Sequence, residues 1–340
     1  MKALVKLKRG PGNLELIEVD KPEPKEDEVV IRVESAGVCG TDIKILHDAT
    51  WSNPPVTLGH EYSGVVDSIG SAVKNLKVGD RVVSETAQVI CGNCKYCKTG
   101  LSLMCKDRLS IGYGVDGAFA EYIKVRKDIV HKLPDSVSFD DAAMFEPLSV
   151  ALHATWDKAN VLPTDTVLVM GPGAIGQFVS LVTKARGATV VLTGTEKDID
   201  RLKIAKDNGI DYTTTNISLD YLKETVGVDS VDVVFDCTGA LPAIKTAMPL
   251  VKPTGKFVQI GLTKPELEIE YSLLTAKEIS IIGTFGHQWH NWEQAIELVG
   301  KKKLNISNIT TGHYPLKEWK QAFDDMEAQR GIKILIHPNL

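Results

Sequence analysis

Up to about residue 150, apolar and polar positions come in short runs, as in "EVVIRVESAGV", "YSGVVDSIG", "VGDRVVSE" and "AFAEYIKV". Each run is rich in β-branched residues and bounded by Gly, Asp or Ser, which predicts strands joined by turns. No long helical period interrupts them, so the region reads as irregular and mostly β. From residue 166 the pattern changes. "TVLVMG" is a compact apolar run of the buried-strand type, and "PGAIGQFVSLVTKARG" follows it, with Ile175, Phe178, Val179 and Val182 on one helical face and Gly187 at its end. Then come "ATVVLTG", the helical "DIDRLKIAKDNG", "VDVVFDCTG", a helix from about Pro242, "GKFVQIGL" and "EISIIGTF". Strand alternating with helix predicts right-handed parallel crossovers and a doubly wound sheet. The remainder, from "NWEQAIELVGKKKLN" to "IKILIHPNL", predicts two helical segments and a closing strand that return to the first region. The expected fold is α/β, with breaks at 150/151 and 288/289.

Composition narrows the class. A chain of 340 residues, 43% hydrophobic and 24% charged, is globular and long enough for two cores. A net charge of −5 provides no basic footprint, which argues against nucleic acid as the main partner. No apolar run approaches the roughly 18 residues of a membrane span. The start, "MKALVKLKRGPGNLELIEV", lacks the apolar core of a signal peptide. The expectation is a cytoplasmic protein.

That compartment decides how to read "CGNCKYCKTGLSLMC", which holds four of the six cysteines. In a reducing cytosol, clustered thiols are metal ligands or redox groups more often than disulfides. Cys91, Cys94, Cys97 and Cys105 follow C-x2-C-x2-C-x7-C, a spacing that lets four thiolates surround one zinc ion. Four thiolates leave no open position, so this zinc is expected to be structural.

"VLVMGPGAIGQF" sets Gly171, Gly173 and Gly176 in a G-x-G-x-x-G pattern between a predicted strand and a predicted helix, with Pro172 and Ile175 inside it. The first glycine makes the turn, the second lets a pyrophosphate approach the backbone, and the third lets helix and strand pack closely. Dinucleotide binding follows. The acid that would bind a ribose 2′-hydroxyl about 20 residues on is replaced by Gly194. Thr195, Lys197 and Arg201 lie near enough to receive a 2′-phosphate, and Glu196 is a displaced acid that suits NAD. NADP is favoured, with NAD retained.

The remaining donors are Cys39 in "AGVCGTD", His60 and Glu61 in "TLGHEYSG", and Glu146 in "MFEPLSVALHA". Together they offer S, N and O ligands for a zinc with an exchangeable position. "GHEYSGVVDSIGSAV", with glycines at 59, 64 and 70, then "VCGTD", the cysteine lobe and "VMGPGAIG" resemble the zinc-containing medium-chain alcohol dehydrogenases over essentially the whole chain. "FEPLSVALHA" resembles the sorbitol (polyol) dehydrogenase branch. The resemblance implies a GroES-like catalytic domain, a Rossmann domain and a zinc that polarises the substrate oxygen. It matches Cys39, His60 and Glu146 to the catalytic-zinc positions, with Glu61 a direct or water-bridged ligand, and Thr41 to a proton-relay hydroxyl. It also implies a homodimer or homotetramer joined through the strand near "EISIIGTF", and a polyol substrate oxidised to a ketose.

Some positions depart from that pattern. A relay histidine of the family is Lys44 here, either a solvated lysine or a contact for a substrate phosphate. A tyrosine and an Arg-Tyr pair of the sorbitol branch are Ile45 and Gly286–His287. His287, Trp289 and His290 are candidates for a pocket wall, with Trp289 and Trp292 alternatively anchoring the last part of the chain. Cys237 is expected on a buried strand and inert. The alternatives are oxidation of an amino alcohol, as in L-threonine 3-dehydrogenase with its similar Glu-Pro-Leu motif, and a non-catalytic binding protein on the same fold.

Overall fold

The computed structural model describes residues 1–263 and 266–340. The chain forms two compact units, one made of Met1–Glu146 with His287–Leu340 and the other of Pro147–Gly286. The sequence reading set these breaks at 150/151 and 288/289.

In the first unit the strand Glu28–Gly37 is central and buried on both faces for most of its length. It pairs with Glu61–Ile69 on one side and with Lys333–His337 and Tyr122–Arg126 on the other edge, at different parts of its length. Arg81–Ser84 and Val130–Lys132 extend the sheet beyond Glu61–Ile69, and Thr310–Pro315 extends it beyond Lys333–His337. A small sheet of Leu14–Glu18, Lys2–Lys6 and Val56–Thr57 lies apart from it. Val29, Ile31, Val33, Ile123, Val125, Phe119 and Phe323 contribute to one apolar core.

Register places the chemistry. Gly37 pairs with Glu61 on one side and with Leu335 on the other. The ladder continues one step further, where the Val38 N–H donates to the Ile334 carbonyl at 2.9 Å. Antiparallel pairing therefore brings Cys39, His60 and Lys333 to the same end of the sheet, although 294 positions separate the first from the last.

The second unit is a six-stranded parallel sheet in the order Tyr212–Thr214, Thr189–Thr193, Thr166–Met170, Val231–Asp236, Val251–Gln259, Ser280–Gly283. The direction of growth reverses beside Thr166–Met170, the position at which open α/β sheets bind dinucleotides. The helix after that strand, Ala174–Ala185, is buried from Gly176 through Thr183. The single apolar face expected from sequence is too narrow, since Gln177, Ser180 and Thr183 are also enclosed. Several short strands were not read from the sequence, Tyr212–Thr214 and Thr310–Pro315 among them. Tyr212–Thr214 and Thr310–Pro315 are outer strands of their sheets and mostly half-exposed, so neither needs an apolar alternation. Cys237 lies one residue beyond the strand Val231–Asp236 and is half-buried rather than within it. Desolvation, with Asp236 beside it, pushes its thiol well above the ordinary range, which keeps it protonated. No described helix is long and apolar enough to cross a membrane.

Glu85, directly after Arg81–Ser84, is buried, and desolvation pushes its carboxyl from 4.5 up to about 7. Between these values the unfolded chain has released the proton and the folded chain has kept it, so stability falls as pH rises through this window. At about 1.4 kcal/mol per unit, the loss from this group reaches at most about 3.5 kcal/mol. Glu85→Gln should remove most of that decline. Urea unfolding near pH 5 and near pH 8 checks this, and equal pH slopes for variant and parent would contradict it.

Candidate metal centres and dinucleotide site

Cys39 caps the helix Gly40–Leu46, and its N–H donates to the Asp42 carboxylate at 2.9 Å. The other oxygen of Asp42 lies 3.8 Å from His60 Nδ1, and Asp42 is fully buried. At that distance the buried carboxylate acts on the imidazole through its charge, which favours the protonated ring. Ligand atoms of Cys39, His60 and Glu61 lie within 4.8 Å of one another. Gly59, beside His60, has φ +92°, and a Cβ there would sit 2.8 Å from the Phe119 backbone nitrogen, so only glycine permits this turn.

Glu61 is sealed in by a residue the sequence reading missed. Lys333 Nζ pairs with Glu61 Oε2 and donates to the Val38 carbonyl at 3.0 Å. Both side chains are only 1% exposed. Gly37 makes the room, because a Cβ there would lie 2.3 Å from Glu61 Oε2 and 2.8 Å from Lys333 Cε. A lysine in an apolar strand such as "KILIH" does carry a signal, since a buried lysine requires a charged partner.

Glu146, on the helix Phe145–Leu152, is outside the 4.8 Å group but coupled to it. Burial drives its carboxyl up to about 7, against the opposing pull of His60. Burial works against a charge on His60, yet Cys39, Asp42 and Glu146 together raise its pKa well above normal. Asp42 is also raised, by desolvation. The pocket thus carries more acidic groups than Lys333 can balance and compensates by holding protons. A divalent cation displaces such protons, so the donor set fits one. Thr41 is half-exposed on the first turn of the Cys39 helix, and Lys44 is exposed on its last.

His287 is buried, accepts at Nδ1 from the Trp292 indole N–H at 2.9 Å, and presents Nε2 to Glu146 at 3.6 Å. Trp292 is therefore the anchor of the helix Trp289–Gly300. Trp289 is half-exposed against His131, and His290 is exposed.

In the cysteine lobe, Cys94 and Cys97 sulfurs are 3.5 Å apart and those of Cys91 and Cys97 3.9 Å. A tetrahedral zinc with 2.3 Å bonds has edges of about 3.8 Å. Cys105 Sγ accepts from the Cys91 N–H at 3.4 Å, and all four sulfurs lie within 4.8 Å of one another. The N–H groups of Asn93 and Cys94 pull the Cys91 thiol down to about 6. Burial and its neighbours push Cys97 up to about 12. All six cysteines are free.

At the dinucleotide motif, Gly171 has φ +96° and Gly173 caps the helix Ala174–Ala185 with open space where a Cβ would be. A Cβ on Gly176 would lie 1.8 Å from the Gly171 carbonyl oxygen. These are the turn, the open cradle and the close packing expected of a pyrophosphate site. Pro172 and Ile175 lie within it, and Gln177 bridges the Pro172 and Arg201 carbonyls. Around Gly194 the structure adds Asp198, which accepts from both the N–H and hydroxyl of Thr195 at 2.9 Å. Arg201 also faces Asp198, at 3.5 Å, and Glu196 accepts from Thr215. Thr195 and Arg201 are thus committed to Asp198, while Lys197 is exposed. A cavity of about 560 Å³ lined by Val5, Ile17, Ala120 and Tyr122 includes none of these residues, so concavity alone would misplace the site.

With this geometry in place, comparison with known proteins is specific. The family model "Alcohol dehydrogenase GroES-like domain" matches residues 25–135, and "Zinc-binding dehydrogenase" matches residues 174–301. The chain is 38% identical over 345 residues to D-arabitol-phosphate dehydrogenase of Enterococcus avium, covering 100% of this chain and 98% of that one. It is 39% identical over 343 residues to sorbitol dehydrogenase of Halalkalibacterium halodurans, covering 99% of each. A Sinorhizobium meliloti 1021 chain described as a zinc-binding dehydrogenase and solved with NADP superimposes with TM-score 0.91 at 29% identity, covering 99% of both chains.

The Glu61–Lys333 pair makes a checkable demand. Lys333→Met leaves a carboxylate buried without its cation and should cost about 3–5 kcal/mol in denaturant unfolding. Adding Glu61→Gln should recover most of that loss. A double variant as unstable as the single one would contradict the pairing.

Proposed function

The chain belongs to the zinc-binding alcohol dehydrogenase family, and from that membership we propose that it interconverts a secondary alcohol of a polyol or polyol phosphate with the ketose, using NAD(P). The convergence of Cys39, His60 and Glu61 in a buried pocket electrostatically coupled to Glu146 carries this reading. Zinc, when bound, supplies a Lewis acid that favours the alkoxide near neutral pH, and the nicotinamide supplies the hydride acceptor. Cys39, His60 and Glu146 are the residues assigned to hold the ion. Glu61 converges with Cys39 and His60 but is tied to Lys333, whereas burial pushes the Glu146 carboxyl up to about 7. Asp42 acts on His60 through its charge, and His287 lies 3.6 Å from Glu146. Thr41 accepts the substrate proton at its hydroxyl and passes it toward solvent. Cys91, Cys94, Cys97 and Cys105 hold a second, structural zinc.

Gly171, Gly173 and Gly176 cradle the pyrophosphate, with Pro172 and Ile175 shaping the turn. Asp198 suits a ribose 2′-hydroxyl and Lys197 a 2′-phosphate, so both NAD and NADP are assigned. Lys44, an exposed cation on the helix that Cys39 begins, is the assigned contact for a substrate phosphate. The 38% identity to a dehydrogenase of a polyol phosphate supports that choice. The free thiols fit a reducing compartment, and the cytoplasm is the assigned location. A homodimer or homotetramer is assigned through Ser280–Gly283, the outer strand of the parallel sheet, on which Ile281 is 46% exposed.

Reduced-cofactor absorbance across free and phosphorylated polyols, with each cofactor, tests the activity. Cys39→Ser should lower kcat/KM about a thousandfold, since several kcal/mol of transition-state stabilisation depends on the ion. It should also remove one zinc of two. Cys94→Ser should remove the other zinc and lower Tm. Lys44→Ala should raise KM about tenfold for phosphorylated polyols alone, the worth of one charge-assisted hydrogen bond. Full turnover in Cys39→Ser would overturn the assignment. Sedimentation of Ile281→Asp should show a smaller species than the parent, and an unchanged species would place the interface elsewhere.

A further inference from the structure

A third group of ligating side chains lies apart from both zinc centres. Asp140 sits on the helix Phe139–Ala143, His313 on the strand Thr310–Pro315, and His337 ends the strand Lys333–His337. One ligand atom from each comes within 4.8 Å of the others. His313 Nδ1 and His337 Nε2 face each other at 3.1 Å, with the rings stacked at 5.4 Å and 12° between their planes. Asp140 Oδ2 lies 3.7 Å from His313 Nδ1, and Asp140 Oδ1 lies 3.8 Å from His337 Nδ1.

The hydrogen bonding defines what the imidazoles present. His337 Nδ1 lies 3.2 Å from the Glu34 carbonyl oxygen, which can only accept, so Nδ1 carries a proton and Nε2 is the nitrogen left to offer a lone pair toward His313. A neighbouring carbonyl that fixes the tautomer in this way is the outer support typical of a metal-bound histidine. Metal–nitrogen bonds of 2.0–2.1 Å place two ligand nitrogens about 2.9–3.3 Å apart, depending on geometry, and the observed separation falls inside that range. A single N–H···N bond would also bring the rings together, but here a carboxylate oxygen of Asp140 lies 3.7 Å from the same His313 nitrogen that faces His337. Asp140 contributes the negative charge that a divalent ion requires.

We propose that Asp140, His313 and His337 form a third metal site, selective for zinc or another imidazole-binding divalent ion. Two imidazoles disfavour magnesium and calcium, which take oxygen ligands. Three protein ligands leave at least one position for water. The site joins two strands of the chain's last segment to a helix from its first. That helix is followed within a few residues by Glu146, so metal here braces the segment leading into the other centre.

Untagged, zinc-loaded protein titrated with Zn²⁺ by calorimetry should take up one further equivalent. Its Tm should rise with that equivalent. His313→Ala should abolish both effects, and Asp140→Asn should weaken the binding about tenfold or more. The two tightly held zincs, counted after dialysis, should be unchanged in each variant. If His313→Ala is unstable before metal is added, His337→Gln provides the same loss of a ligand. Co²⁺ in the added site should give ligand-field bands without the thiolate charge-transfer band of the cysteine lobe. Failure to take up a further equivalent, or equal uptake in the histidine variants, would assign the 3.1 Å contact to an ordinary imidazole hydrogen bond and overturn the proposal.

Discussion

The charge pair between Lys333 and Glu61, buried at the shared end of three strands, is the constraint on which the candidate centre depends. A buried carboxylate and a buried ammonium each carry a desolvation penalty of several kcal/mol, and only close mutual contact with further hydrogen bonds offsets it. That contact exists only in one register. Gly37 must face both Glu61 and Leu335, and Val38 must pair with Ile334. A slip of one residue would turn each side chain to the opposite face and leave both charges unmatched. Sheet register and site geometry are therefore one condition.

The two candidate zinc centres are held in different ways. Around Cys39 and His60 the protein itself maintains the geometry through strand pairing, a helix cap and a sealed ion pair. The cysteine lobe has little of this. Its helix Lys95–Lys98 buries no residue, and Leu103 and Cys105 are the buried side chains of the stretch. A loop with so little apolar contact cannot offset its conformational entropy by packing, so a metal on the four thiolates would supply its ordering.

The return of the chain after the parallel sheet contributes more than closure. Trp292 fixes His287, which faces Glu146, and the final strand delivers Lys333 to Glu61. Residues far apart in sequence thereby meet both carboxylates, Lys333 in a close ion pair with Glu61 and His287 at 3.6 Å from Glu146. The same closing strand carries His337, so a single late element takes part in two separate polar clusters.

The local codes were legible in the sequence. C-x2-C-x2-C-x7-C and G-x-G-x-x-G are short-range patterns whose geometry depends on neighbouring backbone, and strand–helix alternation identified the parallel sheet. Cys39, His60, Glu61 and Glu146 stood out in the sequence as candidate donors, and the fold brings ligand atoms of the first three within 4.8 Å of one another. What the sequence did not show is which distant residue balances which charge. Asp42 behind His60, Lys333 against Glu61, and the meeting of Asp140 with His313 and His337 all depend on long-range register. Composition and spacing constrain a residue's own backbone and immediate neighbours. The partner of a buried charge is set by the path of strands hundreds of positions away, and only the tertiary structure decides that.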